Sequence, residues 1–296
     1  MVPAESPAVA RRRVRLALRG AREAIGHTQA QVAAALDWSL SKVNRIESGE
    51  VSVSATDLKA LLEHYGVTDG STIQRLHQDA RTSRRQRWYT NPRYREHLNR
   101  STMQLLEFES EANAIRAFQP ILIPGLLQTA EYAAGVFNLA YDELSAGTVE
   151  VRREVRAQRH AQVFDRPEPP DYYVILDESV IFREVGGAKV MGDQLRHLLR
   201  LAKRPNVRVK VVPFVAAAPI ALLGQFTILE LGGEGDAVLY REAYLADEII
   251  QAPDRVHRHR ELFDRLWIQS LDESTSAAVI EARASVMLAS HYRSAS

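Results

Sequence analysis

Residues 28–49 read TQAQVAAALDWSLSKVNRIESG, and this stretch decides the fold of the first third of the chain. Thr28 followed three residues later by Gln31 is a capping box: the hydroxyl takes a first-turn N–H while Gln31 reaches back. Val32, Ala33 and Leu36 fall on one face at helical spacing, and Ala33 is small enough for another helix to approach closely. Asp37 stands at the turn, where a left-handed conformation is needed; Gly is the easy residue there and Asp a tolerated one. Ser39 caps a second helix running to about Ser48, with Gly49 as its stop. In that helix Val43 and Ile46 point inward, which leaves Leu40, Ser41, Lys42, Asn44 and Arg45 outside.

An outward face of Ser, Lys, Asn and Arg suits a DNA major groove. Arg pairs with guanine O6 and N7, and Asn with adenine N6 and N7. An ordinary solvated helical hairpin has a polar outer face too, so spacing alone leaves both readings open.

The run T-Q-x-x-V-A-x-x-L followed by W-S-x-S-K-V-N-R-I-E-S-G resembles the phage-repressor (Cro/CI, or xenobiotic-response-element) class of helix-turn-helix. The resemblance implies that the second helix is the recognition helix, with base contacts from Leu40, Ser41 and Arg45. It implies a phosphate clamp at Gln29, flanking contacts from Lys42 and Asn44, and a structural part for Glu47. Thr28 and Ser39, at the two helix starts, complete the expected DNA-binding set. The chain departs from the class at Asp37, which replaces the usual Gly. It departs again at Leu40, whose contribution is apolar contact with a thymine methyl group.

The net charge of +1 conceals a division. Residues 1–100 hold 17 Lys or Arg against 10 Asp or Glu, a balance of +7; residues 101–296 hold 21 against 27, a balance of −6. A basic head is the electrostatic footprint of nucleic-acid binding, and an acidic body suits another partner. The chain has no Cys, which excludes disulfides, zinc fingers and thiol catalysis. The apolar runs are too short to span a bilayer, and no signal core follows Arg11, Arg12 and Arg13. The expectation is a cytoplasmic protein, nucleoid-associated when bound, with no membrane partner.

The expected fold is mostly α: a five-helix helix-turn-helix bundle over residues 9–80 and an α+β C-terminal domain over 101–272. Residues 81–100, Arg-rich with Trp88, Tyr89 and Tyr94, read as a linker whose aromatics pack onto the next domain, or as a second nucleic-acid surface. Helices are expected at Val9–Ile25, which carries Val14, Leu16, Leu18 and Ile25 among many Arg residues, then at Ser54–His64 and Thr72–Arg84. In the second domain they are expected at Thr102–Ala117, Thr148–Phe164, Met191–Lys203 and up to Ser270. Strands are expected at Tyr172–Leu176, Asn206–Pro213, Gln225–Leu231 and Ala237–Arg241. Residues 273–296 read as a helix and tail that pack loosely or serve a partner.

The run FxPxxIPGLLQTxEYA, with ILDESVIFREVGG, VMGDQLRHL and RPNVRVKVVPF, is similar to a large actinobacterial group of such regulators with a long C-terminal domain of uncharacterised function. That resemblance covers roughly residues 11–270. It implies a regulator paired with a small partner protein encoded nearby, an arrangement compared to a toxin–antitoxin module.

No catalytic constellation stands out, and no enzyme activity or cofactor is expected. Asp177 and Glu178 are adjacent and would face opposite ways on a strand. His257 and His259, two apart on a helix, have the wrong geometry for a shared metal. The apolar Pro213–Gly224 segment reads as a core loop or as the wall of a small-molecule pocket. The reading is a DNA-binding transcriptional repressor, a homodimer on a pseudo-palindromic double-stranded operator, with a C-terminal sensing or partner-binding domain. Its input is either a small-molecule effector or a small partner protein. The alternative is an antitoxin-like module that captures that protein and uses DNA binding for autoregulation.

Overall fold

The computed structural model describes residues 7–48, 51–84, 88–140, 146–216, 224–231, 236–242 and 247–294. The chain divides into two compact units, Met1–Trp88 and Tyr89–Ser296. Gly49 and most of the 213–224 segment lie outside the described residues.

The first unit is five helices: α1 (Pro7–Ala24), α2 (Gln29–Ala35), α3 (Leu40–Glu47), α4 (Ala55–His64) and α5 (Gly70–Thr82). Local chemistry sets their ends. Thr28 closes the capping box, its N–H donating to Gln31 Oε1 at 2.7 Å and its Oγ1 accepting from Gln31 N at 3.2 Å. Asp37 has φ 54°, the left-handed value that the turn requires. Ser39 Oγ accepts from Lys42 N at 3.2 Å, and Ser54 Oγ from Asp57 N at 3.0 Å. Asp69, which the sequence reading passed over, caps α5 through Thr72 N at 2.7 Å. Its hydrogen bonds to Thr72 and then Ser71 lower its pKa to about 2.

Val32, Ala33, Val43, Ile46, Leu58, Leu61 and Leu62 form the core with Val14 and Leu18. Of the apolar residues of α1, Leu16 and Ile25 are exposed. Helix α1 buries Arg12 and Arg15 beside Val14 and Leu18, while Leu16 faces outward.

The second unit begins with α6 (Pro92–Arg95), α7 (Arg100–Glu109), β1 (Ala114–Gln119), α8 (Ala130–Ala140) and α9 (Ala146–Phe164). It continues through β2 (Asp171–Asp177), α10 (Glu178–Phe182), α11 (Ala188–Leu201), β3 (Val207–Val212), β4 (Phe226–Glu230), β5 (Ala237–Arg241), β6 (Glu248–Ile250), α12 (Pro253–Gln269) and α13 (Glu273–Ser294). One mixed sheet runs β3-β2-β1-β4-β5-β6, parallel from β1 to β3 and antiparallel from β1 to β6.

Three expectations are corrected. The helix expected to reach Ala117 ends at Glu109, and Ala114–Gln119 becomes the strand between β2 and β4. Its pairings on both sides, Ile115 with Tyr172 and with Leu229, outweigh a weak helical pattern. A short strand, β6, was not anticipated. The final helix is no loose tail. Ser276 is fully buried and accepts from Val211 N at 3.0 Å, and Leu288 presses so close to Gly192 that a Cβ there would lie 2.7 Å from Leu288 Cγ.

The segment before α7 also belongs to the second unit. Arg93 Nη2 donates to Glu154 Oε1 at 2.5 Å, and Tyr94 Oη accepts from Gln158 Nε2 at 3.0 Å. Asp177 and Glu178 have structural tasks: Asp177 caps α10 through Ser179 N at 2.9 Å, and Glu178 Oε2 accepts from Phe214 N at 2.8 Å. His259 Nδ1 meets Arg255 O at 2.7 Å, while His257 sits 3.5 Å from Glu261.

Candidate nucleic-acid interface

The exposed side of α3 opens onto a concavity shared with α1 and the start of α2. Leu40, Ser41, Asn44 and Arg45 line it from α3, and Thr28 and Gln29 from α2. Leu40, Ser41, Asn44 and Arg45 are all exposed, while Val43 and Ile46 are buried behind them. This division is what a short amphipathic helix must adopt when one face packs on a core.

The opposite wall is a row that the sequence reading missed. Arg15, Arg19 and Arg22 stand at i, i+4 and i+7 on α1, so they share one face, and all three border the concavity. Their spacing was the available signal. Arg15 is largely buried and its pKa is lowered, by burial first and by the charge of Arg19 second. Crowded cations of this kind are relieved by an anion. Arg19 is exposed and pairs with Glu23 at 2.8 Å, a solvated contact of little energetic weight.

Arg22 is the anchor. Its Nε and Nη2 donate to Glu47 Oε1 at 2.7 Å and Oε2 at 2.9 Å, and its Nη1 donates to His27 O at 2.8 Å. The hydrogen bond to Glu47 is the first cause of the raised Arg22 pKa. Gln29 Nε2 donates to the same Glu47 Oε2 at 2.8 Å. The buried carboxylate at the end of α3 thus holds α1, α2 and α3 in one geometry.

The structure does not bring every expected residue to the groove. Lys42 turns away from it: Nζ lies 2.7 Å from Asp57 Oδ1 and 3.6 Å from the centroid of the Trp38 ring. Ser39 uses its hydroxyl as a cap. Gln29 spends one amide hydrogen on Glu47 and keeps the other.

The comparisons with known proteins agree with this geometry. Residues 14–76 match a family described as a helix-turn-helix domain, which contains the whole of α2, the turn and α3. Residues 102–282 match a family described as a domain of unknown function, DUF5753. No curated protein and no solved structure gives a match. Among the described residues, no helix is long and apolar enough to cross a membrane. The first unit is a helix-turn-helix domain of a DNA-binding regulator, and the chain, more than half of it matched by the second family, belongs to the DUF5753 family.

Proposed function

We propose that the chain is a sequence-specific transcriptional repressor, a homodimer on a pseudo-palindromic operator whose half-sites lie about one helical turn apart, roughly 34 Å. The observation that carries the reading is the shared concavity, which sets the exposed face of α3 opposite the arginine row of α1. A helix lying in the major groove needs base-reading side chains on one face and cations at the flanking phosphates.

Arg45 is the main base reader, with a guanine as its natural partner, and Asn44 and Ser41 read adjacent positions. Leu40 offers contact to a thymine methyl group. Arg19 and Arg15 face phosphates, and Gln29 clamps one through its remaining amide hydrogen and the start of α2. Lys42, braced on Trp38 and Asp57, positions the recognition helix instead of reading bases. The C-terminal domain supplies the regulatory input.

Selection of bound sequences from random DNA tests this reading. A two-fold-symmetric site with matched half-sites is the expected product. An asymmetric single half-site would remove the homodimer, and activation of a reporter from the selected site would remove repression.

A further inference from the structure

The second unit contains a cavity of about 470 Å³, within the range that binds small molecules. Its floor is one face of the sheet. Cross-strand partners share a face, so the pairings of Ala117 with Thr227 and of Thr227 with Tyr240 place Thr227 and Tyr240 together. The period of two adds Gln119 and Gln225, and the pairing of Ile115 with Tyr172 adds that phenol. On the other face of the same strands Phe118, Phe226, Ile228 and Leu239 pack with Phe263 of α12, beside the Arg116–Glu230 ion pair. The cavity face also carries buried Ile115, Ala117, Val174, Leu176 and Leu229, so its hydroxyls and amides are a polar patch within an apolar surface, and burying such groups costs free energy. Gln119 and Tyr240 are nonetheless each 8% exposed.

The lining is charged with both signs on different elements. Helix α9 contributes Arg152, Arg156 and Arg159 at i, i+4 and i+7. Arg159 donates twice to buried Glu109 of α7, and Arg156 donates to Gln128 while lying 4.8 Å from the Phe137 centroid. Two guanidinium groups converge at Gly125, where a Cβ would come within 3.1 Å of Arg159 Nη1 and 3.6 Å of Arg156 Nη2. The acidic groups are Glu242 and Asp247, at the end of β5 and the approach to β6. The Glu242 carboxyl is raised, by desolvation first and by Asp247 second. Tyr240 is raised as well, by burial first, so its phenol stays protonated.

We propose that this cavity binds a small zwitterion of the α-amino-acid type, its carboxylate taken by Arg152 and Arg156 and its ammonium by Glu242 and Asp247. A simple anion would meet the two carboxylates, and a simple cation the three arginines; Arg159 and Arg156 already attract Glu242 and Tyr240 bonds Asp247, and a ligand carrying both charges adds a favourable contact to each set. The polar patch of the sheet receives the backbone atoms, and Leu122, Phe137 and Val155 pack its side chain. The site deepens the regulatory reading above and rests on it only for the consequence at DNA.

The test is calorimetric titration of the full chain with each of the twenty α-amino acids, then with the N-acetyl and amide forms of any that bind. At least one amino acid is expected to bind with Kd below about 1 mM, with the N-acetyl and amide forms each at least tenfold weaker, since each loses a buried charge pair. No binding by any amino acid overturns the proposal, and so does an N-acetyl or amide form that binds as well as its parent. Glu242→Gln, a change that keeps the size of the side chain, is expected to keep the fold while weakening the amino acid about tenfold and erasing discrimination against the N-acetyl form. Unchanged discrimination in that variant overturns the ammonium assignment. Operator affinity is then measured with and without the bound amino acid. A shift supports effector function, and binding without a shift contradicts it. Loss of all operator binding by the free protein sinks the repressor reading alone, because the calorimetry needs no DNA.

Discussion

Helix α1 places Arg15, Arg19 and Arg22 at positions i, i+4 and i+7, and helix α9 repeats that spacing with Arg152, Arg156 and Arg159. In each row the last arginine is held by two hydrogen bonds to a buried carboxylate, Glu47 in one case and Glu109 in the other. The surroundings then separate them. The α1 row borders an open concavity facing Ser41, Asn44 and Arg45, a shape for an extended polyanion. The α9 row borders a cavity that is also lined by Gln119, Thr227, Tyr240, Glu242 and Asp247. Spacing of arginines therefore selects a charge, and enclosure and counter-charge select the size and class of ligand.

The shared anchors offer the largest effects. The Glu47 and Glu109 side chains are 4% and 3% exposed, so removing either strips a largely buried guanidinium of the carboxylate that takes two of its hydrogen bonds. Glu47→Ala and Glu109→Ala are each expected to destabilise their own unit by about 3–5 kcal/mol in denaturant unfolding of the full chain. Unfolding midpoints that match the parent would show that the rows are not held from these carboxylates.

The readers come next. Arg45→Ala is expected to cost about 1–3 kcal/mol of operator affinity and to relax preference at one base pair, measured by titration against single-base operator variants. Equal losses on every variant would make Arg45 a phosphate contact instead.

Arg19→Ala distinguishes the two rows directly. It should weaken all DNA sequences about equally and lower the slope of log affinity against log salt by about 1. Its exposed pair with Glu23 contributes at most about 1 kcal/mol, so stability should hardly move. Arg152→Ala, in the second row, should leave the salt slope unchanged. A fall in slope from that variant would give the α9 row to DNA as well.

The smallest effect lies at the turn. Asp37→Gly removes a left-handed L-residue and is expected to stabilise the first unit by roughly 1 kcal/mol with operator preference unchanged. Thermal unfolding checks it; destabilisation would mean that the Asp37 side chain supports the turn.

The first unit was legible because its signals are local. Thr28 with Gln31, Ser39 with Lys42 and the turn at Asp37 all act within three residues, so caps and periodicity give the helices directly. The α1 row was not read. Which of the many arginines on that helix turn inward depends on α3 and α5, and Arg22 finds its partner Glu47 across 25 residues.

In the second unit β2, β3, β4 and β5 were legible from alternation. Strand β1 was not, because Ala114–Gln119 contains no turn residue and its identity comes from partners near residues 171–176 and 226–230. The cavity had no local signature. Its polar groups arrive singly from β1, β2, β4 and β5, and only the register shows that they share a face. The 213–224 segment, read as a core loop or as a pocket wall, lies mostly outside the described residues; Phe214 and Val215 within it are exposed, which departs from a core loop, and Gln225 and Thr227 just beyond it line the cavity.

Whether the concavity between α3 and α1 reads DNA is tested by selection of genomic fragments with the full chain. A discrete two-fold-symmetric site should be enriched, and be lost or relaxed at one base pair in each half when Arg45 is replaced by Ala. No enrichment above input DNA, or the same enriched site with the same affinity from Arg45→Ala, would contradict it.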